Sequence, residues 1–196
     1  MTCVVGIADG KTVWMGADSA MSDGWSIRES KAYKIFKSHG FLIGTTGSLR
    51  IRQLLQHGIN YKELNAISNK YSDKLEFMIK EFIPPVRKIF KDNGFSEINN
   101  NVEKGGYFLV GFYGELYSIE SNFQVVTSKP SYAAIGSGEY FALGSLGTTY
   151  LAKNISSSAI DPVSAIEAAL MVSADLCATV RRPFHYLNIG EDDADN

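Results

Sequence analysis

A chain of 196 residues, 45% hydrophobic and 20% charged, can bury a sizeable core and lacks the composition of a disordered or fibrous protein. Its 19 basic residues are balanced by 21 acidic ones, a net charge of -2, so no broad basic surface points to nucleic acid. Two cysteines, Cys3 and Cys177, form neither a disulfide framework nor a metal-ligand spacing, and fit free thiols in a reducing compartment.

Met1 is followed at once by Thr2-Cys-Val-Val-Gly-Ile, without the basic and apolar regions of a signal peptide, and no run of about 18 apolar residues follows. A cytoplasmic protein with no membrane contact is expected. Residues 2–8 and 12–17 read as strands around the turn Asp9-Gly10. Residues 33–37 and 41–45 read as a second hairpin, turning at His39-Gly40. Residues 48–59 have helical spacing, with Leu49, Leu54 and Leu55 near one face. Residues 72–93 continue it with Leu75, Met78, Ile79, Phe82, Val86, Ile89 and Phe90. Pro84-Pro85 should kink or split that element.

Strands are expected again at 106–113, 115–120, 123–127 and 132–135, with Asn99-Asn100-Asn101 in a loop. A helix follows over 139–153. Another opens at Asp161-Pro162, an N-cap with proline at the first helical position, and runs to about residue 178. Residues 183–189 read as a last strand, and 191–196 as an acidic tail beyond one domain of residues 1–190. Runs of strands alternating with pairs of helices argue for an α+β fold with antiparallel sheets.

The chemistry starts at position 2. A free α-amine titrates at about 7.7–8.0 and can act as a base near neutrality. A threonine hydroxyl is a weak nucleophile that needs such a base beside it. Removal of Met1 would put both on Thr2. Alone, a threonine after Met1 says little. Its context says more: Thr2-Cys-Val-Val-Gly-Ile, Asp9-Gly10, then Val13-Trp-Met-Gly-Ala-Asp18-Ser19. Lys31-Ala-Tyr-Lys-Ile-Phe follows, then Phe41-Leu-Ile-Gly-Thr-Thr-Gly47-Ser48. Far downstream come Ala134-Ile-Gly-Ser137-Gly138 and Ala174-Asp175-Leu-Cys177-Ala-Thr. In this order the segments resemble proteasome β-subunits and HslV, of the N-terminal-nucleophile (Ntn) hydrolase superfamily.

The resemblance implies a four-layer αββα sandwich of two antiparallel sheets, and a threonine endopeptidase acting on peptides or unfolded proteins. Thr2 would be the nucleophile. Lys31 would stabilise its alkoxide and tune its amine, and Asp18 would hold that lysine charged. Gly47 would offer its N–H to the oxyanion. Ser137 and Asp175 would orient the amine and relay its proton. Lys31, Lys34 and Lys37 fall at steps of three. The alternation of Tyr33 and Ile35 favours Lys31, with Lys34 second. By position, Ser22, Glu29, Thr45 and Leu49 would line the pocket for the residue before the cleaved bond. No cofactor is required, though carbonyls of Ala174, Cys177 and Val180 could hold a structural sodium ion. The family implies a homo-oligomeric ring, with helix faces such as Leu49, Leu54, Phe77 and Phe82 in its interfaces, and a ring-shaped ATPase unfoldase as partner. Two other readings stay open: a non-catalytic scaffold or binding protein of the same fold, and an amidohydrolase acting on small amides.

Overall fold

The computed structural model describes residues 2–22, 25–29, 31–129, 131–156 and 160–190. Met1 and the acidic tail lie outside the described residues.

β1 (Cys3–Ala8) and β2 (Thr12–Asp18) form the first hairpin. The Asp9 carboxylate accepts from the N–H groups of Lys11 and Thr12, at 2.9 and 2.8 Å, and closes the turn. β3 (Ala20–Ser22) and β4 (Ile27–Glu29) pair as a short hairpin that the sequence does not announce. β5 (Ile35–Ser38) and β6 (Phe41–Thr45) turn at His39-Gly40, whose φ angles of 41° and 82° match the twist of a tight hairpin.

Four helices follow. Ser48 caps α1 (Leu49–Gly58), Asn60 caps α2 (Tyr61–Ser68), and Asp73 caps α3 (Lys74–Phe77). A π-helical turn over Met78–Phe82 leads into α4 (Ile83–Asp92). Helical backbone therefore runs through Pro84 and Pro85 without a break. The wider turn, in which the Ile83 N–H donates to the Met78 carbonyl, precedes them and accommodates the missing donors.

β7 (Glu97–Asn99) and β8 (Val102–Lys104) form a small hairpin through Asn100 and Asn101, where the asparagine cluster alone reads as a loop. β9 (Phe108–Phe112), β10 (Glu115–Ile119), β11 (Val125–Thr127) and β12 (Tyr132–Gly136) come next. The chain ends in α5 (Glu139–Ser156), α6 (Pro162–Leu176) and β13 (Phe184–Gly190).

The strands make two principal antiparallel sheets, of order β12-β1-β2-β13 and β11-β10-β9-β6-β5. The first hairpin is thus central in its sheet. Val4, Met15, Leu42 and Leu109 fill the space between the sheets. Phe41, Phe77, Phe82, Phe90, Phe108 and Phe112 seat α1, α3 and α4 and the π turn on the five-stranded sheet. Val5, Ile7, Leu146, Ile166 and Leu170 seat α5 and α6 on the other sheet. The result is the expected αββα sandwich. Phe77 and Phe82, expected at a ring interface, are instead fully buried in this core. Among the described residues, no helix is long and apolar enough to cross a membrane.

Candidate active site

Thr2 precedes β1 and is 2% exposed. Its backbone N donates to Ser137 Oγ at 3.1 Å, and its carbonyl accepts from Ser137 Oγ at 3.2 Å and from Gly138 N at 3.3 Å. This grip depends on a glycine: Gly136 has φ of 101°, and a Cβ there would stand 2.2 Å from the Thr2 carbonyl oxygen. Ser137 Oγ also lies 2.8 Å from Thr179 Oγ1. Two hydroxyls in series therefore lead away from the Thr2 nitrogen.

On the other side of Thr2 stands Asp18, fully buried at the end of β2. Its Oδ1 accepts from the Cys3 N–H at 2.9 Å and from Lys34 Nζ at 2.6 Å. Its Oδ2 accepts from the N–H groups of Ala20 and Arg181, at 3.2 and 3.3 Å. Four donors satisfy this carboxylate, which is the condition for keeping a charge inside a protein. Asp18 so joins the residue after the candidate nucleophile, a buried lysine and the segment after α6.

Lys34, and not Lys31, is that lysine. Lys34 is 5% exposed, while Lys31 is exposed in the turn ahead of β5. The register explains the choice. The Thr45 N–H and Thr45 Oγ1 both bond the Lys34 carbonyl, at 2.9 and 3.2 Å, and extend the β5–β6 ladder by one residue. Burial pulls the Lys34 ammonium below the ordinary lysine range, and the Asp18 carboxylate opposes that shift.

Gly47 lies just beyond β6 with φ of 77°, and a Cβ added there would meet nothing within 4 Å, so its backbone is unobstructed. It borders a cleft of about 670 Å³ together with Thr46 and Gly136. Among the described residues, no hydrogen bond joins the Asp175 carboxylate to Ser137. Asp175 is exposed in the last turn of α6, off the buried stripe of Ala165, Ile166, Ala169, Leu170 and Ser173. The partner of Ser137 is Thr179. The sequence carries a signal for it: Thr179 is the single hydroxyl residue between the end of α6 and β13.

Of the expected pocket residues, Thr45 is buried and bonded to the Lys34 carbonyl, and Leu49 is half-buried at the start of α1. The side chains of Ser22 and Glu29 lie outside the described residues. Two of the three carbonyls named for sodium already accept hydrogen bonds. That of Cys177 accepts from the Val180 N–H at 3.1 Å, and that of Val180 accepts from the Arg181 guanidinium at 3.2 Å. A cation at the Val180 carbonyl would share that oxygen with the guanidinium.

The two thiols differ. Cys3 Sγ is fully buried, 3.6 Å from Ser173 Oγ, and burial pushes its pKa up to about 12. Cys177 is half-buried. Burial acts to raise its pKa, but contacts with Thr179 and Ser137 bring it below the ordinary thiol range.

The sequence profile of the proteasome subunit family matches residues 1–179. A comparison with curated proteins gives no match. Among solved structures, the chain is similar to Thiobacillus denitrificans BPH in complex with epoxomicin, with 14% identity and a TM-score of 0.74, covering 96% of this chain and 98% of that one. The same protein without that compound gives 14% identity, a TM-score of 0.73, and coverage of 96% and 97%. Eukaryotic HslV from Trypanosoma brucei gives 16% identity, a TM-score of 0.68, and coverage of 96% and 99%. At such identities the structures speak for the fold.

Proposed function

The chain belongs to the proteasome subunit family, and from that premise we propose that it is a threonine-type peptidase whose nucleophile is Thr2 once Met1 is removed. The observation that carries the reading is the buried Lys34–Asp18 pair, tied through Asp18 Oδ1 to the N–H of Cys3 beside Thr2. A buried ion pair is weak evidence for stability alone, because desolvation offsets its attraction. Beside a nucleophile it has a use.

In the proposed reaction the Thr2 amine takes the proton from Thr2 Oγ1 as that oxygen attacks the scissile carbonyl. The Lys34 charge favours the developing alkoxide, and Asp18 keeps Lys34 in place. The Gly47 N–H receives the oxyanion. The amine returns its proton to the leaving nitrogen, and the peptide bond breaks to leave an ester on Thr2. Water, deprotonated by the same amine, then hydrolyses the ester. Ser137 and Thr179 orient the amine through their hydroxyls. Ring assembly belongs to the same proposal. Its support is the outer side of α5 and α6, where Leu151 and Leu176 are exposed by 65% and 62%.

The test combines three measurements on the purified protein. Intact mass is expected to show loss of Met1, a threonine-directed electrophile is expected to attach at Thr2, and Thr2→Ala is expected to reduce peptide hydrolysis to background while preserving the fold. Retention of Met1 with undiminished cleavage overturns the mechanism. Retention of Met1 with no cleavage favours a scaffold.

A further inference from the structure

The cleft that borders Gly47 and Gly136 has a charge pattern that the proposed chemistry leaves unused. Its volume of about 670 Å³ lies within the usual range of ligand sites, about 300–1,000 Å³. Gly136, which abuts the Thr2 carbonyl, and Gly47, the proposed oxyanion donor, both border it, so the cleft adjoins the position proposed for the scissile bond. Glu120 and Glu139 line it, and no basic residue does among those described.

Both glutamates are half-buried. Among the described residues, neither side chain has a hydrogen-bond or ion-pair partner. Five other described glutamates do, Glu63 with Asn60, Glu76 with Lys80, Glu81 with Tyr71, Glu103 with Arg87 and Glu115 with Tyr117, while Glu97 and Glu167, which lack one, are exposed to water. Glu139 opens α5, where the helix dipole favours a negative charge. Glu120, just past β10, has no such support. Two carboxylates in one concave wall concentrate negative potential there, and a cation entering the cleft relieves it. The rings of Tyr107 and Tyr140, exposed by 47% and 78%, also line the cleft. Such rings can cover an aliphatic stem and attract the charge at its end.

We infer that this cleft receives a cationic side chain of the substrate, lysine or arginine, and that Glu120 and Glu139 set the preference. The inference rests on the peptidase reading. It is tested with peptides varied one position at a time, on both sides of the cleaved bond, among lysine, arginine, methionine and glutamate. At one position kcat/KM is expected to be about tenfold higher for the basic residues than for methionine, as a charge-assisted hydrogen bond allows. Glu120→Gln and Glu139→Gln should each bring that ratio toward one, mainly through KM. Glu120→Lys should shift preference toward glutamate. Glu167→Gln, an exposed change on α6, controls for net charge and should leave the ratio unaltered. Cleavage without basic preference at any position, or a preference that survives both glutamine variants, overturns the inference and leaves the peptidase reading standing. Absence of both cleavage and Thr2 labelling removes the two together.

Discussion

The helices on the five-stranded sheet sit on a cluster of aromatic rings, whereas those on the four-stranded sheet sit on aliphatic and small side chains. Phe41 stacks on Phe112 with centroids 4.2 Å apart, and Phe82 and Phe77 continue the cluster at 5.6 and 5.2 Å. α5 and α6 turn Ala142, Ala165 and Ala169, with Leu146, Ile166 and Leu170, toward Cys3, Val5 and Ile7 of β1. Gly16 of β2 permits the closest approach, since a Cβ there would be 2.4 Å from Ile166. Rings supply large buried area per residue and thus stability. Small residues let a helix come near the strand that carries Thr2, so that Ser173 of α6 reaches both Cys3 Sγ and the Gly138 carbonyl, at 3.6 and 3.1 Å. One layer holds the fold, and the other brings backbone close enough to build a site.

Substitutions can test that division. Lys34→Ala is expected to reduce kcat/KM by about 10²–10³, the usual loss for one electrostatic stabiliser of a transition state, while Lys31→Ala stays within about twofold. Equal losses from the two variants, measured under saturating and limiting substrate, would remove Lys34 from the proposed chemistry. In the aromatic layer, Phe112→Ala should cost about 3–5 kcal/mol of unfolding free energy. Its folded fraction should keep the wild-type kcat, and a large loss of kcat in that fraction would break the separation of layers.

The smallest effect concerns the seal of the α5–α6 layer. A thiol reagent at pH 8 is expected to modify Cys177 and spare Cys3 until denaturant is added. The sign of the accompanying pH effect follows from the raised Cys3 value. From the ordinary thiol value of 9.0 up to about 12, the folded state keeps a proton that the unfolded state releases. This contribution to stability is therefore complete below pH 9 and is lost as pH rises through that window. Rapid native modification of Cys3 would show that α6 does not close over β1.

Much of this architecture is legible in the sequence because its signals are local. Asp9-Gly10, His39-Gly40 and Asp161-Pro162 announce turns and a cap from adjacent residues, and the helical spacing from Leu75 to Phe90 is dense. The short hairpins β3–β4 and β7–β8 have too few alternating residues to stand out, and α2 is a two-turn helix whose start depends on a single asparagine cap. Thr2, Asp18 and Ser137 are found by their order along the chain. The choice between Lys31 and Lys34 rests on a contact across 16 residues, and on Thr45 fixing the end of a ladder. Both lysines precede the same strand, and only the second faces a buried carboxylate. The hydroxyl contact of Ser137 is non-local too: Asp175 is exposed on α6, while Thr179, beyond the helix end, returns to Ser137.

The π turn before Pro84 acts as a phase shift in the helix. Phe77 and Phe82 are five residues apart, as are Met78 and Ile83, yet all four are buried. In a plain α-helix a five-residue step rotates a side chain by about 140° beyond a full turn, away from its predecessor. One wide turn absorbs the extra residue and returns Phe82, Val86 and Phe90 to the side already chosen by Phe77. The segment can thus carry one more residue than an ordinary helix of the same face, without a loop and without turning its aromatic side to water.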